Sequence, residues 1–235
     1  MANKSRLREN RYGTVINGVS SKQELELGEA LEDSTEQIIE IFGLKLVHKK
    51  RVMLTDIVSD LRKNFADVNF ADPFPNSFMT PDGGLLYIEA KKTGELYPIL
   101  ITEVKNQGTN DLRAQEGKKP QARGNAIERL GKNVIGFRTM LSVENIMPFV
   151  CFGYGCDFED SSSILDRVKT IAMFGDLNQV NVLPEGGDGV FNRGSFFFQR
   201  DPWTKKEMTD VMTEVATRSI HYYYSRYGEN FFVTV

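Results

Sequence analysis

The spacing of apolar residues changes from helical to extended near residue 85 and back to helical near residue 124. SSKQELELGEALEDSTEQIIEIFGLKL carries apolar residues as far as Ile41, with Ser21 three residues before Glu24 in a capping-box pattern. This predicts a helix opening at Ser21, with an interruption near Gly28. Leu54, Ile57, Val58 and Leu61 have the spacing of a second, shorter helix. NFADPFPNSFMTPDGG, rich in Pro, Asn and Gly, reads as loop. LLYIEA and YPILITEVK follow as β segments joined by KKTGEL, whose Thr-Gly favours a turn.

GTNDLRAQEGKKPQARG is polar, has no apolar period, and predicts an exposed loop long enough to serve a purpose. Beyond it Ile127, Leu130, Val134, Phe137 and Leu141 mark one stripe of a helix that begins near Gly124. MPFVCFGYG predicts a buried strand, with VKTIAMFG and GSFFFQR as further strands. Phe196–Phe198 can face both sides of a sheet, so core packing accounts for them better than base stacking. Asp201-Pro-Trp-Thr204 leads into a last helix, capped by Thr204 and Glu207, with Met208, Val211, Met212 and Val215 on its apolar face. The order of elements predicts an α/β fold, a central mixed β-sheet flanked by helices, in one domain over 1–235.

Composition narrows the classes. At 235 residues, 40% hydrophobic and 26% charged, the chain matches an ordinary globular protein. MANKSRLREN has no apolar stretch of the kind a signal peptide needs, and no run approaches eighteen apolar residues, so a cytoplasmic protein with no membrane partner is expected. A net charge of −3 argues against nucleic-acid binding by bulk charge. Between residues 105 and 132, however, Lys105, Arg113, Lys118, Lys119, Arg123, Arg129 and Lys132 face only Asp111, Glu116 and Glu128. Cys151 and Cys156 lack further ligands nearby and read as reduced thiols rather than a zinc site. His48 and His221 stand in unrelated contexts, which disfavours a His-based nuclease.

The hairpin carries the chemistry. If its strands pair antiparallel, Asp82 comes close to Glu103 and Lys105. Alternation puts Glu103 and Lys105 on one face and turns Val104 toward the core. Two carboxylates without His or Cys suit a hard cation such as Mg²⁺, and the Val104 carbonyl can add a third oxygen. A neighbouring lysine can orient an attacking water and offset charge on a phosphodiester in reaction. The plainer alternative is a surface Glu–Lys pair beside an Asp chosen for its turn. PD, twenty intervening residues and then EVK after an apolar strand favour the first, and the pattern resembles the PD-(D/E)xK nucleases.

The helix opening GNAIER sharpens this. Asn and Arg at a helix N-terminus can enter the DNA major groove, where a bidentate Asn–adenine pair discriminates by ~1–3 kcal/mol; a solvated first turn with a local Glu–Arg pair is the alternative. NSFMTPDGG, ITEVKNQG and GNAIER followed by KN resemble the EcoRI family of type II restriction endonucleases, over roughly residues 70–225.

That resemblance implies metal binding and catalysis by Asp82, Glu103 and Lys105, with Val104 at the metal. Gly124, Asn125, Ala126, Glu128 and Arg129 would read bases or hold the reading residues, with Gln107 close by. It further implies a homodimer cutting double-stranded DNA at a palindrome with an AATT core, leaving 5′-phosphates and 5′ overhangs, alongside a cognate DNA methyltransferase. Arg123 stands before the glycine and is placed to contact a guanine outside AATT, favouring CAATTG or a relaxed outer pair over GAATTC. Lys118 and Lys119 meet phosphates or solvate their loop. The rival readings are a repair or structure-specific PD-(D/E)xK nuclease and a catalytically silent DNA-binding protein.

Overall fold

The computed structural model describes residues 16–106, 117, 124–154, 179–182, 195–199 and 201–235, except the side chains of 16–21, 106, 124–129, 179–182 and 195. The elements are α1 (Ile16–Phe42), β1 (Leu46–Lys49), β2 (Val52–Met53), α2 (Leu54–Asn64), β3 (Phe78–Met79), β4 (Gly84–Glu89) and β5 (Leu96–Asn106). They continue with α3 (Gly124–Met140), β6 (Phe149–Tyr154), β7 (Gln179–Val182), β8 (Ser195–Gln199), α4 (Lys205–Tyr227) and a closing 3₁₀ turn (Glu229–Phe231). Among the described residues one six-stranded sheet runs in the order β1-β4-β5-β6-β8-β7, and β2 pairs with β3 in a small second sheet. β1, β4 and β5 pair antiparallel, while β5, β6, β8 and β7 pair parallel, so the sheet is mixed as the element order predicted.

The sheet separates two cores. On one face Leu86, Ile88, Leu100, Val104, Phe152 and Phe197 pack with residues of α1 and α4, among them Leu27, Ile38, Met212 and Tyr223. On the other, Leu85, Tyr87, Ile101, Phe149, Phe196 and Phe198 pack with Ile57 and Leu61 of α2 and with Leu130, Val134 and Phe137 of α3. Each fully buried side chain of this size contributes ~1.5–3 kcal/mol. Phe196–Phe198 thus divide between the two cores, in keeping with packing rather than base stacking.

A bulge sets which face the chemistry occupies. Leu86 pairs with Leu100 but Tyr87 pairs with Pro98, leaving Ile99 as the extra residue. An extra residue shifts the alternation of a strand. Tyr97 and Ile99 therefore belong to the α1/α4 core, whereas Ile101 belongs to the α2/α3 core. Glu103 and Lys105 follow Ile101 at steps of two and share its face.

Several expectations change. The first helix is continuous through Gly28 and begins at Ile16, five residues before Ser21. No proline precedes Ser21 to stop the helix, so its Ser-x-x-Glu spacing lies inside rather than at a cap. β1 and β2 emerge from segments given no element by the apolar pattern, and β3 lies within NFADPFPNSFMTPDGG, expected as loop, where Phe78 and Met79 pair with β2. The strand expected in VKTIAMFG lies outside the described residues. At α4 the capping box forms: the Glu207 carboxylate accepts from the Thr204 backbone at 2.8 Å, and Thr204 Oγ1 accepts from the Glu207 backbone at 3.3 Å. Tyr223 is buried in the core, and Tyr222 donates to the buried carboxylate of Glu144 at 2.8 Å, with Arg226 on the same carboxylate. No described helix is long and apolar enough to cross a membrane.

Candidate active site

TPDGG turns the chain into β4 against the end of β5. The ladder between them closes at Gly84 opposite Thr102, and Gly83 donates its N–H to the Thr102 carbonyl at 3.0 Å. Both glycines are needed. Gly84 has φ 80°, and a Cβ there would lie 2.7 Å from the Lys49 carbonyl; at Gly83 a Cβ would overlap Thr102 Oγ1. This tight seat delivers Asp82 to the strand just past the end of the ladder.

There the Val104 N–H, without a β4 partner, donates to Asp82 Oδ2 at 3.1 Å. The same oxygen lies 2.9 Å from Lys105 Nζ, and Lys105 Nζ lies 2.5 Å from Glu103 Oε1. One ammonium thus joins both carboxylates. N–H and C=O of one strand residue point to the same side, so the Val104 carbonyl faces the gap that Asp82 enters. Val104's side chain is buried in the α1/α4 core, as alternation predicts.

Burial speaks against the plainer alternative of a surface pair. Glu103 is 1% exposed, so the pair is not a surface ornament. A buried ion pair is a poor way to gain stability, because desolvation offsets its attraction. Burial raises the Glu103 pKa above the ordinary carboxylate range; Lys105 acts against this, Asp82 adds to it, and a hydrogen bond from Asn133 opposes it. At Lys105 burial works against the ammonium, but Glu103 and Asp82 outweigh it and lift the pKa above its ordinary value. The lysine is therefore a cation at neutral pH, a donor of hydrogen bonds and positive charge.

The donor set fits a hard divalent cation. Asp82, Glu103 and the Val104 carbonyl offer oxygen alone, and among the described residues no cluster of three or more His, Cys, Asp or Glu side chains provides a protein-only cage. Two carboxylates with room for water are how Mg²⁺ is usually held.

Two neighbours of the site were not foreseen. His48, read from sequence as unrelated, has Nε2 2.9 Å from the Gly83 carbonyl and lines a cleft of about 630 Å³ with Asp82, Lys50, Glu32 and Glu36. Asn133 of α3 donates to both Glu103 oxygens, at 3.2 and 3.1 Å. Its only signal in the sequence was its place in KN after GNAIER. The structure brings together Asp82, Glu103, Val104 and Lys105. It places Gly124, Asn125, Ala126, Glu128 and Arg129 in the opening turns of α3, with side chains outside the described atoms. Gln107, Lys118, Lys119 and Arg123 lie outside the described residues.

A mixed sheet whose central hairpin ends in two carboxylates bridged by a lysine defines a PD-(D/E)xK nuclease core. The chain belongs to the EcoRI family of restriction endonucleases: the family described as "Restriction endonuclease EcoRI" matches residues 11–230. The type II restriction enzyme RsrI of Cereibacter sphaeroides is 32% identical over 174 residues, covering 60% of this chain and 62% of RsrI. The chain thus spans less than two thirds of that relative's length. The type II restriction enzyme EcoRI of Escherichia coli is 26% identical over 212 residues, covering 75% of this chain and 76% of EcoRI.

Proposed function

We propose that this protein is a cytoplasmic, homodimeric, Mg²⁺-dependent endonuclease that hydrolyses double-stranded DNA at a palindrome with an AATT core. The observation that carries the reading is the Lys105 ammonium held between Asp82 and the buried Glu103. Asp82, Glu103 and the Val104 carbonyl hold the metal. When bound, Mg²⁺ supplies positive charge at the scissile phosphate and a more acidic water. Lys105, kept protonated by its two neighbours, orients the attacking water and offsets charge that develops on the phosphoryl oxygens. Attack at phosphorus expels the 3′-oxygen, giving 5′-phosphate and 3′-hydroxyl ends, with 5′ overhangs when each strand is cut on the 5′ side of the palindrome's centre.

Recognition falls to the start of α3. Asn125 and Arg129 read bases, Gly124, Ala126 and Glu128 shape or support that reading, and Gln107 lies near it. Arg123 contacts the outer pair, favouring CAATTG or a relaxed outer position over GAATTC. Lys118 and Lys119 meet phosphates, so affinity falls as salt rises. Catalysis and reading share one domain over 1–235, and a cognate DNA methyltransferase protects the host's own sites. Asn125→Ala tests the recognition half. Metal-free binding to an AATT duplex should fall by ~10-fold or more, since a lost bidentate pair is worth ~1–3 kcal/mol, while binding to scrambled DNA changes little. Equal losses on both duplexes would remove Asn125 from base reading.

A further inference from the structure

Helix α3 touches the catalytic hairpin at a polar point as well as an apolar one. Its stripe of Leu130, Val134 and Phe137 is buried against the sheet, and between these residues Asn133 turns its carboxamide onto Glu103. We propose that Asn133 is a positioning residue: from α3 it fixes the place of the Glu103 carboxylate. The helix that begins with GNAIER thereby also sets one wall of the metal site. The inference rests on the proposed reading of Glu103 as a metal-holding carboxylate.

Three observations support it. Asn133 Nδ2 reaches both Glu103 oxygens, at 3.2 and 3.1 Å, and a donor so placed, anchored on α3, holds the carboxylate end against swinging sideways out of the site. The Lys105 ion pair is to Oε1, and the hydrogen bond that reaches Oε2 comes from Asn133. Asparagine is also a mediocre helix former in mid-helix, so intrinsic propensity does not account for it. A neutral donor suits this place. A second cation beside Lys105 would compete with a metal for the carboxylate, whereas a carboxamide orients it and leaves its charge available. Partners of this kind behind metal ligands typically change metal affinity or activity by ~10–100-fold when removed.

Asn133→Leu keeps the side-chain volume and removes the donor; Asn133→Gln keeps the carboxamide on a longer arm. The readouts are Mn²⁺ affinity by electron paramagnetic resonance without DNA, single-turnover cleavage at saturating Mg²⁺, metal-free affinity for an AATT duplex, and thermal unfolding. The expected result is a loss of about 10–100-fold in Mn²⁺ affinity and cleavage for the Leu variant. The Gln variant should recover most of it, and duplex affinity and melting should stay near the wild type in both. If Leu behaves like the wild type, or if the longer Gln is the worse of the two, Asn133 fills space and the proposal fails. Wild-type protein that neither binds Mn²⁺ nor cuts would instead remove the proposed function beneath it.

Discussion

The backbone N–H of Val104 donates to Asp82 Oδ2 at 3.1 Å, tying a loop carboxylate to a strand just beyond the point where its partner strand ends. The bond does two things. It satisfies an N–H that the shortened ladder leaves over, and it holds Asp82 where Lys105 can bridge it to Glu103. A hydrogen bond to an ionised carboxylate is worth ~1.5–3 kcal/mol, enough to order the turn before any ligand arrives.

Lys105→Ala removes the bridging cation and leaves both carboxylates in place. Cleavage of AATT-containing DNA should fall by at least ~100-fold, the scale seen when a group that stabilises transition-state charge is removed. Metal-free affinity for the same duplex should remain within a few-fold of the wild type. Rapid-quench cleavage and fluorescence anisotropy separate the two. A variant that cuts normally, or one that loses binding and cleavage together, would contradict the role given to Lys105.

Gly83→Ala should destabilise the fold by ~1–3 kcal/mol, because its Cβ overlaps Thr102 Oγ1 in a packed turn. Thr102 Oγ1 is buried and has no hydrogen-bond partner among the described residues, so removing it sacrifices no hydrogen bond to them. The double variant Gly83→Ala/Thr102→Ala should therefore recover part of the loss, as a coupling of ~0.5 kcal/mol or more in urea unfolding. Strict additivity would show that the turn does not seat on Thr102.

Tyr154 is buried, and its hydroxyl has no hydrogen-bond partner among the described residues. Burial, with a smaller contribution from Glu26, pushes its pKa up to about 12. A folded pKa above the unfolded value of about 10 means its contribution is fully present below pH 10 and lost as pH rises through 12. Tyr154→Phe escapes that loss and removes the orphaned hydroxyl. The variant should be more stable by ~1 kcal/mol at pH 7, with a lead that widens above pH 10. Urea unfolding at pH 7 and 10.5 measures both; a lead that shrinks at high pH would contradict the assignment.

Much of this was readable from the chain because the signals were local. Period-2 alternation gave the hairpin and the shared face of Glu103 and Lys105; period 3.6 gave the stripe of α3; Thr204 and Glu207 gave the cap of α4. What escaped depends on contacts far apart in sequence. β1 is four residues long and exists by pairing with β4, and β2 with β3 is shorter still, so neither has room for a pattern. The bulge at Ile99 is marked in YPILIT only by Pro98, a residue that a central strand tolerates at a bulge, and the alternation of apolar residues does not show that it decides which core Glu103 faces. His48 meets Gly83 across 35 positions and Asn133 meets Glu103 across 30, distances at which spacing carries no information. The early start of α1 escaped for the opposite reason: a local cap pattern at Ser21 was overruled by a helix already under way.

The most direct test is digestion of a sequenced plasmid by the purified protein, with and without Mg²⁺, followed by sequencing of the fragment ends. The account predicts discrete fragments only with metal, each carrying a 5′ overhang at AATT, and the flanking bases would report what Arg123 reads. Smeared or absent cleavage in Mg²⁺, or discrete ends at sequences unrelated to AATT, would contradict it. A structure-specific nuclease or a silent DNA-binding protein would then describe this chain better.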